Sequence, residues 1–467
     1  MLKREVIQEL IEIVGSANVY SAKEDLLCYA GDATFGFPAI LPAAVVKPAS
    51  AEEVSRILRL ANRQLVPVVP RGAGTSLSGG AMPVQGGIVL ETTRMNRILE
   101  IDTDNLLAVV EPGVIAAKFH QTVEQMGLFF PPDPGSLAFS TLGGNVAVCA
   151  GGLRGLKYGV VKDYVLGLEV VMPWGGIVNT GGRTVKNVTG YDLTRLMVGS
   201  EGTLGVITKI IFKLLPLPAA SRSMLAIFDN LNNAGETIAA IIRNKIIPAT
   251  LEVMDNTTIR AVEAAAKIGL PVDAEAILLV EVDGAEQVVE EDLKKVIDIC
   301  RAYQAKEIKI AHTPEEKAQV WSARRNAYGS LAKINNTILV EDATVPRSKV
   351  PEMISFLVET AKRNNLIIAT LGHAGDGNLH PCIVFDRDDP DTVHRVEKAT
   401  EEIFRKGLGL GGTLSGEHGI GIGKKRFLHW EAGDEGIEAM ARIKAALDPN
   451  NILNPGKVFS KDRGVKQ

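Results

Sequence analysis

Two short clusters of histidine and acidic residues have the composition of a metal site with an adjacent base. His373 and His380 bracket the stretch Ala-Gly-Asp-Gly-Asn-Leu, and Ser-Gly-Glu417-His418-Gly follows further along the chain. The chain has only 7 histidines, and three of them fall in these clusters. Imidazole and carboxylate are ligands that Zn, Fe and Mn accept. Both clusters are rich in glycine, and we expect them to lie in flexible loops.

His373, His380 and Glu417 would form a three-ligand site with open positions, as a catalytic metal requires. His418 is the candidate general base, because a neutral imidazole titrates near neutral pH. Adjacent side chains diverge on a regular strand, so Glu417 and His418 can face one substrate only in a bent segment, which the neighbouring glycines permit. From these residues alone, an alternative stays open in which the histidines hydrogen-bond to loop backbone.

The elements around these clusters indicate an α+β protein. Apolar runs at 366–371 and 379–385 flank the first cluster and predict a strand–loop–strand unit. Between 218 and 303, strand-like runs alternate with helical patterns and predict a module of helices on an antiparallel sheet. Near the amino terminus, strands at 41–48 and 65–70 enclose a helix that Ser50 caps.

Composition excludes several classes of protein. The chain has 467 residues, 46% of them hydrophobic, and a net charge of −4 without a basic block, so roughly two to four domains and no nucleic-acid partner are expected. No apolar run approaches the ~18 residues of a membrane span. Residues 1–15 have helical spacing rather than that of a signal peptide. The four dispersed cysteines indicate no disulfide framework or iron–sulfur cluster and favour a cytoplasmic location.

The glycine-rich stretch 70–80 can hold a diphosphate, because glycines let backbone N–H groups converge on an anion. No Gly-Lys-Ser/Thr occurs there, which excludes a Walker A loop. A nicotinamide fingerprint also fails, since Leu77 replaces the third glycine. The segment that follows has too many glycines and prolines for a crossover helix, at ~1 kcal/mol per Gly and ~3 per Pro. Two further glycine stretches, at 140–147 and 199–207, imply a long ligand such as an isoalloxazine with adenine attached.

These segments, with Pro-Pro-Asp-Pro-Gly-Ser at 131–136, resemble the FAD-binding segments of the vanillyl-alcohol-oxidase flavoprotein superfamily. The two histidine clusters resemble the branch that holds the FAD subunit of glycolate oxidase, D-lactate dehydrogenases and D-2-hydroxyglutarate dehydrogenases. The resemblance runs from about residue 20 to 458. It implies a two-part FAD-binding domain and an α+β cap domain with an antiparallel sheet. The predicted domains are 1–217 for FAD, 218–410 for substrate, and 411–467 as a segment returning to the FAD domain.

The resemblance implies non-covalent FAD, because Ala81 stands where some members attach the flavin through a histidine. The residues predicted to bind FAD come from the glycine segments and the C-terminal tail. They are Pro70, Arg71, Gly72, Ala73, Gly74, Thr75, Ser76, Leu77, Ser78, Gly79, Gly80, Pro132, Asp133, Pro134, Gly135, Ser136, Thr141, Gly143, Gly144, Asn145, Glu201, Gly202, Gly205, Ile207 and Asn454.

The same resemblance implies the catalytic roles. Arg324, in Trp-Ser-Ala-Arg, would grip the substrate carboxylate, His418 would be the base, and a divalent metal (Zn, Fe or Mn) would be bound by the ligands named above. The implied enzyme is an FAD-dependent dehydrogenase that oxidises a short D-2-hydroxy acid, D-lactate or glycolate, with hydride transfer to flavin N5. Hydroxyglutarate enzymes have Asn where this chain has Cys382, and a lysine that residues 340–342 lack. Both departures argue against a long dicarboxylate, which stays the alternative substrate.

Electrons must leave the reduced flavin, and the chain has no cluster or haem motif to take them. The resemblance implies a partner protein, either an electron-transferring flavoprotein or an iron–sulfur subunit. Two other classes remain open from the sequence: a non-redox metal hydrolase, and a flavin subunit that only relays electrons. A non-redox enzyme of the alkylglycerone-phosphate-synthase kind ranks below the dehydrogenase.

Overall fold

A computed structural model describes residues 2–459, which form two compact units. The first unit comprises residues 2–150, 160–217 and 417–459, and the second comprises 151–159 and 218–416. These units differ from the domains drawn on the sequence in two places. The segment 151–159 packs with the second unit, and the final segment of the first unit begins at 417 rather than 411.

Helices and strands follow each other along the described chain. The helices are α1 (Arg4–Val14), α2 (Lys23–Leu27), α3 (Ala51–Gln64), α4 (Ala116–Glu124), α5 (Leu142–Val148), α6 (Gly155–Tyr158), α7 (Leu193–Met197), α8 (Leu231–Arg243), α9 (Asn256–Ala266), α10 (Glu286–Ala302), α11 (Pro314–Leu331), α12 (Val350–Asn364), α13 (Pro390–Gly409) and α14 (Leu428–Leu447). The strands are β1 (Val19–Tyr20), β2 (Ala44–Val46), β3 (Val68–Arg71), β4 (Ile88–Glu91), β5 (Ile98–Asp102), β6 (Leu107–Val110), β7 (Leu128–Phe129), β8 (Val165–Val171), β9 (Ile177–Gly181), β10 (Val206–Lys213), β11 (Leu215–Pro216), β12 (Ala220–Phe228), β13 (Thr250–Asp255), β14 (Ala276–Gly284), β15 (Glu307–Ile310), β16 (Thr337–Val340), β17 (Ala343–Thr344), β18 (Ile367–His373) and β19 (Asn378–Phe385).

The first unit contains two main sheets. One has the order β1-β2-β4-β3, with β2, β4 and β3 parallel, and α3 covers it. As predicted, Ser50 caps α3 by accepting a hydrogen bond from the Glu53 amide at 3.2 Å. The other sheet is antiparallel, in the order β5-β6-β10-β8-β9. Strand β10 alternates buried and half-buried side chains, the period-2 pattern of a strand with one face in the core.

Aromatic rings fill part of the interior of this unit. Phe130 stands 5.2 Å from Phe119 of α4, 4.6 Å from Phe212 of β10 and 5.8 Å from Tyr164, between ring centroids. The Phe130 side chain is 1% exposed. Its removal would leave a cavity among three other rings, because protein interiors are close-packed.

The second unit is built on an antiparallel sheet with helices on both faces. The strand order is β15-β12-β14-β13-β18-β19-β16, and β17 pairs with β19. Helices α8, α10, α12 and α13 cover one face, and α9 and α11 cover the other. This is the module of helices on an antiparallel sheet that the sequence predicts. Within residues 2–459, no helix is long and apolar enough to cross a bilayer.

The histidines of the first cluster lie on strands, so the expectation that flexible loops carry them is wrong. His373 is the last residue of β18 and His380 is the third of β19, and they are only 5% and 4% exposed. The turn between the two strands is confined to residues 374–377. There Gly377 has φ +95°, and a Cβ would stand 2.0 Å from the Val345 carbonyl oxygen, so the turn tolerates only glycine at this position. The predicted strand–turn–strand arrangement itself is present.

We expect Phe130→Ala to lower the free energy of unfolding by about 3–5 kcal/mol, since it removes a fully buried ring. Chemical denaturation followed by fluorescence measures this. The matched control is Phe139→Ala, because the Phe139 side chain is 70% exposed. That substitution should change stability by no more than about 0.5 kcal/mol. Equal effects in the two variants would contradict the assigned core.

Candidate active site

The backbone N–H groups of the loop after β3 differ in whether they bond to side-chain oxygens of the described chain. The Gly80 amide donates to Ser76 Oγ at 3.0 Å, and the Gly79 amide donates to Thr34 Oγ1 at 2.6 Å. Within the described part of the chain, by contrast, the amides of residues 73–77 have no hydrogen-bond acceptor. A run of amides that the protein leaves to other acceptors suits an anion such as a diphosphate. The first half of the loop is therefore the part that suits the diphosphate predicted from the sequence.

Arg71 supports the same loop from the protein side. Its side chain is buried, and Nη1 donates to the Gly31 carbonyl oxygen at 2.8 Å. Gly74 has φ +72°, and a Cβ there would stand 2.1 Å from Arg71 Nη2. The glycine thus lets the backbone turn over the guanidinium, which holds the loop in shape.

The second predicted segment adjoins this loop. Thr141 caps α5, and a Cβ on Gly72 would stand 2.1 Å from Thr141 Oγ1, so the two segments are in direct contact. Three other predicted residues lie within the helix, namely Gly143, Gly144 and Asn145. The proline-rich stretch 132–136 lies between β7 and α5. His120 Nε2 is 2.9 Å from the Pro132 carbonyl oxygen and fixes the beginning of that stretch.

Asn454 joins the loop to the third glycine stretch. Its amide nitrogen donates to the Gly80 carbonyl oxygen at 2.9 Å and to the Glu201 carbonyl oxygen at 2.7 Å. Gly202 and Gly205 lie just before β10, and Ile207 is the second residue of that strand. All the segments predicted to bind FAD therefore belong to the first unit, and these contacts connect the 70–80 loop with α5 and with the 199–207 stretch.

Glu201 organises the segment that carries the candidate base. Its carboxylate accepts the Ile420 amide on Oε1 and the Gly421 amide on Oε2, both at 2.8 Å. Ser78 Oγ donates to the His418 carbonyl oxygen at 2.9 Å and so holds the same segment from the other side. No regular helix or strand is present at 414–427, in agreement with the bent conformation predicted for Glu417 and His418.

Burial raises the pKa of the Glu201 carboxyl above its ordinary value, and the two amides and the charges of Lys457 and Lys424 oppose the rise only in part. The sequence prediction named Glu201 only as an FAD residue and missed its bonds to a segment more than two hundred residues away. Nothing in the residues around Glu201 indicates that its carboxylate bonds to so distant a segment.

In the second unit, one buried carboxylate joins two of the predicted catalytic residues. Glu252 of β13 has an exposed side-chain fraction of 0%, and its Oε1 is 2.7 Å from His373 Nδ1. Its Oε2 accepts Arg324 Nε of α11 at 2.6 Å. The register of β13 with β18 explains the first contact, because Val253 pairs with Gly372 and Glu252 therefore faces His373. Sequence analysis missed Glu252 altogether.

His373 and His380 lie on the same face of the sheet. Leu371 pairs with His380 and His373 pairs with Asn378, so the two histidines occupy diagonal positions on neighbouring strands. Their ring centroids are 5.0 Å apart, and a ring nitrogen of each lies within 4.8 Å of the other. This donor pair fits Zn, Fe or Mn.

Asp342 is a further acid near the histidines that sequence analysis did not propose as a ligand. One of its oxygens lies within 4.8 Å of a ring nitrogen of His380, and Ser415 Oγ donates to Oδ2 at 2.7 Å. It is the second residue after the end of β16, and this position at a strand end was the available signal in the sequence. Glu417 and His418 belong to the first unit, whereas His373, His380 and Arg324 belong to the second.

The charge of Glu252 follows from its partners. Burial alone would raise the pKa of this carboxyl, but His373 and Arg324 outweigh burial and hold the pKa below its ordinary value. Glu252 is therefore ionised at neutral pH. Two residues beyond His380, burial raises the pKa of the Cys382 thiol to about 12, so Cys382 is a neutral thiol and not a thiolate ligand.

Two family models match the chain. Residues 42–181 match an FAD binding domain, and residues 217–458 match the C-terminal domain of FAD linked oxidases.

Relatives and solved structures extend this similarity. The chain is 48% identical to the glycolate oxidase subunit GlcD of Bacillus subtilis, over 99% of this chain and 98% of that protein. It is 35% identical to the mitochondrial D-lactate dehydrogenase [cytochrome] of Arabidopsis thaliana, over 90% and 74% of the two chains. Its fold is similar to that of p-cresol methylhydroxylase, with a TM-score of 0.78 at 18% identity, over 98% and 97% of the two chains.

Glu201→Ala removes the acceptor of the Ile420 and Gly421 amides. We expect faster hydrogen–deuterium exchange in a peptide that covers residues 417–422, because exchange reports local opening. Glu169→Ala in β8 is the control, since that carboxylate accepts from Lys209 and Thr208 elsewhere in the unit. Unchanged exchange in the Glu201 variant would contradict the assigned role.

Proposed function

Since the chain belongs to the family of FAD-linked oxidases, we propose that it is a dehydrogenase that oxidises a short D-2-hydroxy acid, D-lactate or glycolate, to the 2-oxo acid. The family, the FAD cofactor and the α+β fold class predicted from the sequence are confirmed. The names of the curated relatives support a 2-hydroxy acid as substrate. The finer statements below are our proposal.

One observation carries the proposal: Arg324 and His373 bond to opposite oxygens of the same buried carboxylate. A guanidinium and an imidazole are thereby held a few ångströms apart on one rigid sheet face. A 2-hydroxy acid has its carboxylate and hydroxyl on adjacent carbons, so both groups need partners at such close spacing. Arg324 would bind the carboxylate, for which its planar fork is suited.

His373 and His380 would hold a divalent metal, with Glu417 as the third ligand proposed from the sequence. Such a metal would supply Lewis-acid polarisation of the substrate hydroxyl. His418 would take the hydroxyl proton on a neutral imidazole nitrogen. FAD would accept the hydride, as this cofactor does in alcohol oxidations. The fixed position of the His418 carbonyl, held by Ser78 Oγ, supports a defined place for the base.

The observations weigh against the other classes that the sequence left open. A metal hydrolase gives no role to the FAD-binding domain that matches residues 42–181. A subunit that only relays electrons gives no role to Arg324 and His373, which are ordered by a fully buried carboxylate. The D-2-hydroxyglutarate alternative has less support, because Cys382 is a neutral, buried thiol beside His380.

We also propose that the reduced flavin passes its electrons to a partner protein, an electron-transferring flavoprotein or an iron–sulfur subunit. The word subunit in the name of the Bacillus subtilis relative supports a complex. The cytoplasm stays our predicted location, from the dispersed cysteines. All four cysteines are free thiols, Cys28 being exposed and Cys300 and Cys382 buried.

His418→Ala should retain FAD and lower kcat by about 10²–10⁴-fold, the usual contribution of a positioned base. The measurement is anaerobic bleaching of the flavin absorbance with D-lactate, L-lactate, glycolate and D-2-hydroxyglutarate, and we expect the short acids to bleach the unsubstituted protein fastest. The control is His394→Ala on α13, an exposed histidine of the second unit. Protein that cannot take up FAD, or a His418 variant with full activity, would refute the proposal.

His380→Ala should remove a metal ligand and therefore lower the metal affinity. The loss should exceed the about 10- to 100-fold that is typical when a residue hydrogen-bonded to a ligand is replaced. Elemental analysis after dialysis measures this, and FAD content should not change. Glu417→Gln tests the ligand predicted from sequence in the same way. His312→Ala, an exposed histidine of the second unit, is the control. Equal metal content in all these proteins would rule out the histidine site.

A further inference from the structure

We propose that Glu252 is a positioning residue for the candidate active site, which with one carboxylate sets both the imidazole of His373 and the guanidinium of Arg324. The inference rests on the proposed function, because His373 and Arg324 have the roles given above. Neither the sequence motifs nor the similarity to known proteins points to Glu252. Only the pairing of β13 with β18 brings it beside His373.

The geometry of Glu252 leaves it no other task. Its side chain is fully buried, Oε1 is 2.7 Å from His373 Nδ1, and Oε2 is 2.6 Å from Arg324 Nε. These are its two partners within residues 2–459. A carboxylate removed from water must be compensated by charge or hydrogen bonds. Here both compensating groups are ones that the proposed reaction uses.

The carboxylate determines which nitrogen of His373 carries hydrogen. A carboxylate paired with a guanidinium at 2.6 Å only accepts hydrogen bonds, so Nδ1 of His373 must be the donor. In the neutral imidazole, the lone pair then lies on Nε2, which points away from Glu252. This is the tautomer that a metal requires of a histidine bound through Nε2, and a carboxylate on the opposite nitrogen is the usual means of fixing it.

The second oxygen orients Arg324. The Nε–H group is engaged by Glu252, and the planar guanidinium therefore presents the edge formed by its two Nη groups. That edge is the one that can bind a carboxylate with two parallel hydrogen bonds. The Arg324 side chain is 12% exposed, so it can still be reached by a small ligand.

Glu252→Gln separates this role from simple packing, because the two side chains have the same size. A glutamine oxygen can accept from only one of the two donors, and the NH₂ group then faces the other. If the oxygen stays on the positively charged Arg324, the NH₂ group donates to His373 Nδ1. The ring hydrogen must then move to Nε2, which removes the lone pair that a metal needs.

The experiment uses metal-free, full-length protein with ¹⁵N-labelled histidine and with FAD bound. NMR of the imidazole nitrogens, assigned with His373→Gln, should show the Nδ1–H form of His373 in the unsubstituted protein and the Nε2–H form in Glu252→Gln. Zn²⁺ affinity, measured by competition with a chelator, should fall about 10- to 100-fold in the variant. With Zn²⁺ saturating, KM for D-lactate or glycolate should rise more than kcat falls, because a neutral amide oxygen holds the Arg324 guanidinium less firmly than a carboxylate does.

Glu281→Gln is the matched control. Glu281 lies on β14 on the same face of the sheet, and its carboxylate accepts from Trp321 Nε1 at 3.1 Å and Ser223 Oγ at 2.7 Å. This substitution also removes a buried charge, but it should leave the His373 tautomer and the Zn²⁺ affinity unchanged. Thermal denaturation of both variants reports whether each is folded. If Glu252→Gln does not fold, Glu252→Asp replaces it, since the shorter acid keeps the charge but cannot reach both partners.

The possible results distinguish this inference from the function on which it rests. If the unsubstituted protein has no Zn²⁺ affinity, the metal part of the proposed function fails and the inference fails with it. If the unsubstituted protein binds Zn²⁺ and Glu252→Gln binds it equally well with the same tautomer, only the role of Glu252 is wrong. A variant with lower thermal stability but unchanged tautomer and affinity would mean that Glu252 serves packing alone.

Discussion

A carboxylate that is withdrawn from water must be compensated by hydrogen bonds or by charge, and the candidate site residues in each unit depend on a glutamate of this kind. Glu201 accepts two backbone amides in the first unit, and Glu252 accepts a guanidinium and an imidazole in the second. The partners explain why the two acids differ. Burial outweighs the two amides and the charges of Lys457 and Lys424 at Glu201 and raises its pKa, whereas Arg324 and His373 together overcome burial at Glu252 and lower its pKa. The first glutamate shapes backbone and the second orders side chains that carry charge.

Sequence analysis could find the elements but not these two glutamates. Alternating apolar residues predict β18 and β19, and the sequence between them predicts a turn, because these signals are local. The partners of Glu252 lie 72 and 121 residues away along the chain. No periodicity or spacing connects such positions, since the contact arises only when β13 pairs with β18. The residues proposed for the chemistry can be recognised in the sequence by their types. The residue that positions them can be recognised only from the register in which the strands pair.

The position of the histidines is a second feature that local sequence signals did not predict correctly. Glycine around His373 indicates a flexible loop when each residue is considered alone. Yet an antiparallel hairpin needs flexibility only in its turn, and the strands on either side are rigid because each pairs with further strands of the sheet. Placing His373 and His380 on the strands fixes their separation by backbone geometry. A site built on strands is held more accurately than one built on loops, and accuracy is what metal ligation and hydride transfer require.

The same strand geometry bears on the length of the substrate. Cys382 lies on the same face as His380, two residues along β19, and it pairs with Ala369 on β18 and Val340 on β16. Its thiol is neutral and is only a weak hydrogen-bond donor. Arg324 and Asp255 lie close enough to act on this thiol electrostatically, so the neighbourhood of His380 in this direction combines apolar strands with one cation and one acid. If Arg324 binds the first carboxylate of the substrate, as we propose, a second carboxylate placed here would have to share that cation, and burying a carboxylate without a partner of its own is costly. Under that proposal, the side of the sheet beyond His380 favours an acid that ends soon after its hydroxyl carbon.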